Sequence, residues 1–416
     1  MNTKSKPLVL VVGDGAAPTG YARVIHSVFS RLAGRYRVEQ LATHYEGAPH
    51  EWPWRLHPTD GARDPLGEAA LLPLVARLRP DLVFVVNDPV AARRYAAQLA
   101  PWRQAGGGRL AAYCPVDVAP LSPELVAPLA GTDLLATYTE FGRDVLRAAL
   151  AAAGDGVPPA CPPLHRVPHG VDARTFFPLD AAPLAAGGPA DRSGARRRLF
   201  GDAPGLGDAF IVLNANRNQP RKRIDLTIEG FARFARGKPA DVHLYLHMGV
   251  KDCGWDVRAL AQRHGVYERL MMTTDQGVMP FVDDATLNLI YNACDVGVNT
   301  AAAEGWGLAS FEHAATGAAQ VVPDHTALRE LWAGAAVPLP RRLTLTDPAQ
   351  LYEEHLTAPE DLAAALERLY ADSGYRARMS RAAYANALRP EWSWDAVAER
   401  WGELLDACLA RKTAPP

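Results

Sequence analysis

Pro7-Leu8-Val9-Leu10-Val11-Val12, closed by Gly13-Asp14-Gly15, is the stretch from which the fold can be read. Its apolar, β-branched residues run on without alternation, the pattern of a strand buried on both faces in a parallel sheet. A glycine turn follows, and then a helical segment from about Tyr21 to Ala33. The same unit recurs down the chain. Leu82–Val86 is a second such strand, closed by Asn87-Asp88-Pro89, and Arg109–Tyr113 and Leu134–Tyr138 continue the series, with a helix over Phe141–Ala153. Around Pro158–Pro189 the composition turns to Pro, Gly and Ala, with low complexity over Ala181–Gly188, which reads as a linker or hinge. After Asp191 the alternation resumes: strands at Phe210–Asn214, Val242–Leu246, Val296–Asn299 and Val321–Val322, helices at Asp225–Ala235, Leu287–Ala293, Trp306–Gly317 and Glu360–Ala387. No repeat of 20–50 residues is visible.

Short buried strands alternating with helices predict an α/β chain with parallel sheets covered on both faces. The expected architecture is two doubly wound, Rossmann-like domains whose parallel sheets face each other across a cleft. Ligands of such folds bind outside the carboxyl ends of the strands. The expected boundaries are 1–172 for the N-terminal domain, 173–190 for the hinge, 191–388 for the C-terminal domain, and 389–416 for a closing helical segment.

Composition narrows the class. The 416 residues are 48% hydrophobic and 22% charged with a formal net charge of -2, so there is no basic footprint for nucleic acid. Locally, Ala22–Arg37 carries Arg23, Arg31, Arg35 and Arg37 with no acid, either a face for anionic lipid or a solvated helix face. Five scattered cysteines, an odd number with no Cys-x-x-Cys pair, argue against a disulfide framework and against a structural zinc site. A reduced, cytoplasmic setting is expected, with peripheral contact to the inner face of the membrane through the basic helix as an option. No apolar run reaches the ~18 residues of a membrane span, and the N-terminus reads as a strand instead of a signal peptide.

Two stretches carry the chemistry. Glu304-Gly-Trp-Gly-Leu-Ala-Ser-Phe-Glu312 sets two carboxylates eight residues apart around a strand-to-helix turn, where Gly305 and Gly307 permit unusual backbone angles and close approach to a ligand. A helix N-terminus there offers N–H groups to a phosphate or hydroxyl, and carboxylates suit the hydroxyls of a sugar or ribose. The second stretch runs from Asn214 through Arg217, Arg221, Lys222 and Arg223 to Asp225. A basic loop between strand and helix points to diphosphate binding, with Arg217 as a planar fork and Lys222 as a point charge. Alternatives are a capped helix start with a surface glutamate, and a solvated basic loop.

The first stretch resembles the Glu-x7-Glu signature of family-4 retaining glycosyltransferases of the B-type fold, with Gly305-Trp306-Gly307-Leu308 in the Gly-aromatic-Gly-Leu place. The second resembles that family's Arg…Lys-Gly-x-Asp element, except that Arg223 stands where glycine is usual. Val167-Pro-His169-Gly-Val-Asp172, followed by Phe176-Phe177-Pro178, is similar to the passage closing the family's N-terminal domain, and Gly13–Gly20 to its first loop. The resemblance implies that Arg217 and Lys222 hold the donor diphosphate, Glu304 the transferred sugar and Glu312 the ribose. Gly20, Gly305, Trp306, Gly307 and Leu308 would line the donor site. The family often places a histidine after the fourth strand of the N-terminal domain; here Tyr113-Cys-Pro-Val-Asp117 makes Asp117 the nearest polar candidate, as sugar ligand, nucleophile orienter or turn cap, with His44 behind it.

The expected activity is retaining transfer of a hexose from a nucleotide-diphosphate sugar, GDP-mannose or UDP-glucose among the donors, to an acceptor hydroxyl. No cofactor or metal is expected, since the cations would stabilise the leaving diphosphate and no Asp-x-Asp triplet is present. The acceptor is a glycan, a lipid-linked glycan or a small molecule. A non-catalytic nucleotide-sugar-binding protein and a B-type-fold sugar-nucleotide epimerase are the alternatives.

Overall fold

The computed structural model describes residues 6–17, 19–154, 162–201 and 203–411. They form two compact units. The first runs to Gly170 and takes in Pro348–Tyr352 and the chain from Trp394 on; the second is Val171–Asp347 with Glu353–Ser393. Residues 155–161, which include the first part of the stretch read as linker (158–161) and Cys161, lie outside the described residues. The segment 171–190 groups with the second unit and contains a single helical turn, Ala182–Ala185.

The first unit is built on seven parallel strands: β1 (Leu8–Asp14), β2 (Arg37–Thr43), β3 (Arg55–Pro58), β4 (Leu82–Val86), β5 (Arg109–Tyr113), β6 (Leu134–Thr137) and β7 (Leu164–Arg166). Their order is β3-β2-β1-β4-β5-β6-β7. Every residue of β1 and β4 is buried, as their unbroken apolar runs demand. The order reverses between β1 and β4, so the loops leaving those two strands flank the unit's crevice. One of them is held by a buried carboxylate. Asp14 accepts from the Thr19 and Thr43 hydroxyls, at 2.6 and 2.8 Å, and lies 2.9 Å from the His44 ring. Burial pushes its carboxyl up, but His44, Thr19 and Thr43 together bring it below the ordinary value. Thr19 in turn caps the helix Gly20–Leu32 by accepting from Ala22 N–H.

The helix Trp394–Ala410 belongs to this unit. Its Trp401 is buried edge-on against Phe84 and Tyr113, with ring centroids 4.7 and 4.8 Å apart. Arg31 pairs with Asp395, and Arg35 and the Tyr36 hydroxyl both donate to Asp406. Two arginines of the stretch that reads as basic are thus met by acids from the far end of the chain, which leaves less charge for a lipid surface. No helix among the described residues is long and apolar enough to cross a membrane.

The second unit repeats the plan with six parallel strands: β8 (Phe210–Asn214), β9 (Val242–Leu246), β10 (Leu270–Met272), β11 (Val296–Val298), β12 (Ala319–Pro323) and β13 (Val337–Leu339). Their order is β10-β9-β8-β11-β12-β13, with the reversal between β8 and β11. An antiparallel hairpin follows, β14 (Leu343–Thr346) with β15 (Glu353–Leu356), which the sequence reading does not contain. Two helices differ from expectation. The one read as Trp306–Gly317 spans only Leu308–Ala314, because Gly307 is left-handed at φ 84° and starts the helix after Trp306. Glu360–Ala387 divides into Pro359–Ala371 and Ser373–Ala387. Asp372 interrupts it and caps the second helix by accepting from Tyr375 N–H at 2.7 Å.

Candidate active site

The two decisive stretches lie where the second sheet reverses. The loop after β8 carries Arg217, Arg221 and Lys222, and the loop after β11 carries Glu304. Those are the two strands flanking the switch point, so topology alone brings the loops side by side. The side chains complete the contact. The Lys222 ammonium is ion-paired with the Glu304 carboxylate, and both are buried. Arg221 lies 3.8 Å from the other Glu304 oxygen and donates to the Ala303 carbonyl at 2.6 Å. Burial pushes the Glu304 carboxyl up, but the charges of Lys222 and Arg221 and the hydrogen bond from Lys222 outweigh it, holding the group at about 2.

Backbone and hydroxyl bonds lock the loops together. Ala302 N–H donates to the Arg221 carbonyl at 2.8 Å. The Thr300 hydroxyl reaches the carbonyls of Lys222 and Arg223 at 3.2 and 2.9 Å, and lies 2.6 Å from Thr227, which accepts from buried Asn214. Thr326, after β12, hydrogen-bonds both backbone N–H and carbonyl of Glu304, at 3.4 and 3.3 Å. It does so from φ 46°, where a β-branched residue is strained.

Arg217 takes a different partner. Its guanidinium donates to both oxygens of Asp252, at 2.8 and 3.1 Å, and to the Cys253 sulfur at 3.5 Å. The bond from Arg217 is the main cause that lowers the Asp252 carboxyl below its ordinary value. Asp252 is itself left-handed at φ 40°. Its loop is pinned by the buried amide of Asn218, which donates to the carbonyls of Gly249, Lys251 and Trp255 and accepts from Trp255 N–H. Asn218, Asp252, Thr300 and Thr326 are positioning residues that the sequence reading missed. Of these, Asn218 lies inside the basic loop to which local sequence drew attention.

Arg223, which stands in the glycine place, adopts φ 49°. A non-glycine residue there costs about 1 kcal/mol. Two contacts hold it: bidentate bonds to Asp225 at 3.0 and 2.5 Å, and the guanidinium 5.7 Å from the Trp255 ring.

The Glu304–Glu312 segment divides by role. Gly307 caps the helix Leu308–Ala314 without a side chain. Trp306 is buried, stacked on Phe311 at 5.0 Å and edge-on to Trp392 at 5.6 Å, so its side chain serves the core. Gly305 is buried and Leu308 half-buried beside it. Glu312 is a buried carboxylate, not a surface one, and accepts from the Tyr291 hydroxyl at 3.1 Å. Its neighbour His313 is buried and its ring is driven down to about 3, chiefly by burial. The ring lies 3.2 Å from the Gln320 amide and 3.3 Å from the Cys294 carbonyl. A Cβ at Gly297 would fall 2.3 Å from Gln320 and 2.6 Å from His313, so only glycine leaves room for this pair.

The structure therefore joins Lys222, Arg221 and Glu304 directly, keeps Arg217 on the same loop against Asp252, and sets Glu312 in the helix that follows Gly307. Gly20 and Asp117 belong to the first unit. Gly20 is exposed at the start of its helix, and Asp117 is half-buried after β5. His169 is buried against Tyr138, ring centroids 3.8 Å apart, and packs in the aromatic core of that unit. Among the described residues no group of three or more His, Cys, Asp or Glu is arranged to hold a metal ion.

Two doubly wound parallel sheets of this order define the B-type glycosyltransferase fold, and solved structures of that fold match the chain along almost its whole length. Sucrose-phosphate synthase from Thermosynechococcus elongatus matches with a TM-score of 0.70 at 16% identity, over 97% of this chain and 99% of its own. Anabaena HepE in complex with UDP and glucose matches with a TM-score of 0.68 at 18% identity, over 96% of this chain and 100% of its own. By sequence, the mannosylfructose-phosphate synthase of Agrobacterium fabrum is 25% identical over 238 residues, 57% of this chain. That match covers 46% of the relative, so the aligned region is about half its length. No family profile matches the chain.

Proposed function

We propose that this protein is a retaining glycosyltransferase that moves a hexose from a nucleoside-diphosphate sugar to an acceptor hydroxyl without a metal ion. The observation that carries the reading is the buried Lys222–Glu304 pair with Arg221 beside it, at the switch point of the second sheet. Cleaving the bond between the anomeric carbon and the diphosphate builds negative charge on the leaving phosphate and positive charge on the sugar ring. Arg217, Arg221 and Lys222 would meet the first, Glu304 would accept the hydroxyls of the transferred sugar, and Glu312 those of the ribose. One preorganised cation of this kind is worth about 3–4 kcal/mol of barrier, or roughly 10²–10³ in rate. Its carboxylate partner fixes each cation before the donor arrives, so little reorganisation is left for the reaction. Support for a uridine donor comes from the HepE complex, which holds UDP and glucose. Support for a phosphorylated sugar acceptor comes from the names of the sucrose-phosphate and mannosylfructose-phosphate synthases.

The test is calorimetric titration with UDP-glucose and GDP-mannose, followed by incubation of the donor that binds with fructose 6-phosphate and glucose 6-phosphate. The expected result is one binding donor and a product whose new glycosidic bond keeps the donor's α configuration, formed equally with EDTA present. Failure of both nucleotide sugars to bind would overturn the reading. An inverted product or a requirement for divalent metal would overturn its mechanism.

A further inference from the structure

The Glu304 loop has a neighbour on each side, because β11 lies between β8 and β12 in the second sheet. The loop after β8 brings Arg217, Arg221 and Lys222. The chain leaving β12 brings Asp324, His325 and Thr326, the last bonded to the Glu304 backbone. A second group of basic side chains gathers on that far side. Asp324 N–H donates to the Leu339 carbonyl at 2.8 Å, which ties the end of β13, with Arg341 two residues on, to the His325 turn. His355 of β15 donates its N–H to the Ala302 carbonyl at 2.9 Å, and its ring stands edge-on to His325 with centroids 5.2 Å apart.

The donors of this group are unspent. His325 is 3% exposed; its Nδ1 lies 3.5 Å from the Thr326 hydroxyl, but its Nε2 is buried with no partner among the described residues. A buried polar atom in that state is costly and calls for an explanation. The Thr344 hydroxyl lies 3.1 Å from His355 Nδ1, and by donating there it leaves Nε2–H as the ring's donor. Arg342 is taken by Asp361 and Arg329 by Asp324, whereas Arg341 is exposed and has no ion pair among the described residues. Burial first, then the charges of His355, Arg329 and Arg341, hold the His325 ring neutral, against Asp324. Burial, Arg341 and Arg329 do the same to His355, against Glu353. Both rings therefore sit in a positive field that an anion would satisfy.

We infer that His325, Arg341 and His355 form a phosphate site, which holds the phosphomonoester of a sugar-phosphate acceptor. Arg341 supplies a charged, planar fork, and the two rings supply neutral donors. Position separates this anion from the donor's diphosphate. Strands β8 and β12 are two spacings apart, about 10 Å, with the Glu304 loop between them. Taking the bound ester for the acceptor's rests on the proposed function; the phosphate site does not.

Titration calorimetry of the full chain with inorganic phosphate, glucose 6-phosphate, fructose 6-phosphate and UDP-glucose tests this. Wild type is expected to bind a sugar phosphate more tightly than inorganic phosphate. Arg341→Gln, changed at an exposed side chain, is expected to raise that sugar phosphate's Kd by roughly tenfold or more and to leave the Kd of UDP-glucose unchanged. Lys222→Met is expected to do the reverse. His325→Phe supplies a second variant: it weakens sugar-phosphate binding without lowering the melting temperature, because the nitrogen it removes has no partner to lose. A wild type that binds none of the three phosphates overturns the inference, as does a sugar-phosphate Kd that is the same in wild type and Arg341→Gln. Binding of inorganic phosphate with no preference for a sugar phosphate overturns the acceptor assignment. Failure of UDP-glucose and GDP-mannose to bind, beside sugar-phosphate binding that depends on Arg341, overturns the proposed function and upholds the phosphate site.

Discussion

Replacing Lys222 by Met leaves the Glu304 carboxylate buried beside Arg221 alone, and the size of that loss can be worked from the structure. The Glu304 carboxyl stands at about 2 against an ordinary 4.5. Each unit of such a shift is 1.36 kcal/mol, so the native surroundings favour the ionised form by about 3 kcal/mol. Removing one member of a buried pair costs about 3–5 kcal/mol on general grounds, which agrees. For a domain of this size 1 kcal/mol moves the melting temperature by about 2–4 °C, so Lys222→Met is expected to melt roughly 6–12 °C below wild type at neutral pH. The double variant Lys222→Met, Glu304→Gln removes both charges and is expected to recover most of the loss, while turnover stays absent in both. The pH dependence has a definite sign. A lowered carboxyl gives stability that is present above its unfolded value of 4.5 and is lost as pH falls toward about 2. The gap between wild type and Lys222→Met should therefore be widest at neutral pH and close on acidification. Scanning calorimetry of the three proteins over a pH series decides it. A single variant within a degree or two of wild type, or a double variant no more stable than the single, refutes the assignment of this pair.

The same geometry fixes three further outcomes. Glu312→Gln keeps an acceptor for the Tyr291 hydroxyl, so the fold should change by less than about 1 kcal/mol while nucleotide affinity falls roughly tenfold, the worth of one charge-assisted bond; titration calorimetry showing unchanged affinity would remove Glu312 from the ribose. Arg223→Gly relieves a backbone held at φ 49°, worth about 1 kcal/mol, but forfeits the partly exposed Asp225 pair, worth at most about 1 kcal/mol, so denaturant unfolding should place it within about 1 kcal/mol of wild type. Burial drives the rings of His247, His313 and His325 from 6.5 down to about 4, 3 and 3. Their stability is complete above 6.5 and lost as pH falls toward those values, so the melting temperature should drop through this window and more gently in His313→Gln; a flat profile would refute it.

What the sequence makes legible is burial on both faces. Strands β1, β4 and β8 announce themselves because no residue in them has to face water, and the glycines and polar residues that end them mark the crevice side. The same signal fails at β14, whose four residues are all exposed and whose Leu-Thr alternation is too short to stand out. Nor does it show how Trp306, an aromatic flanked by glycines, packs: its ring lies on Phe311 and Trp392.

Charge is where local reading is least informative. Arg217, Arg221 and Lys222 read as unopposed cations because their partners are remote: Asp252 is 35 residues on, and Glu304 is 82 residues beyond Lys222. Paired, these three cations and two carboxylates leave a net charge of one, so raw attraction for a diphosphate is weaker than the basic loop suggests. What the loop offers instead is position. Backbone strain is spent at Asp252, which grips Arg217, at Thr326, which grips Glu304, and at Arg223, which directs the chain into its helix. These are three of the six described non-glycine residues with positive φ. Such strain persists only where surrounding bonds over-determine it, and here those bonds converge on the groups assigned to the donor. On the proposed function, a site built this way would favour the charge that develops as the diphosphate leaves over the charge the donor already carries, which is the difference that accelerates a reaction.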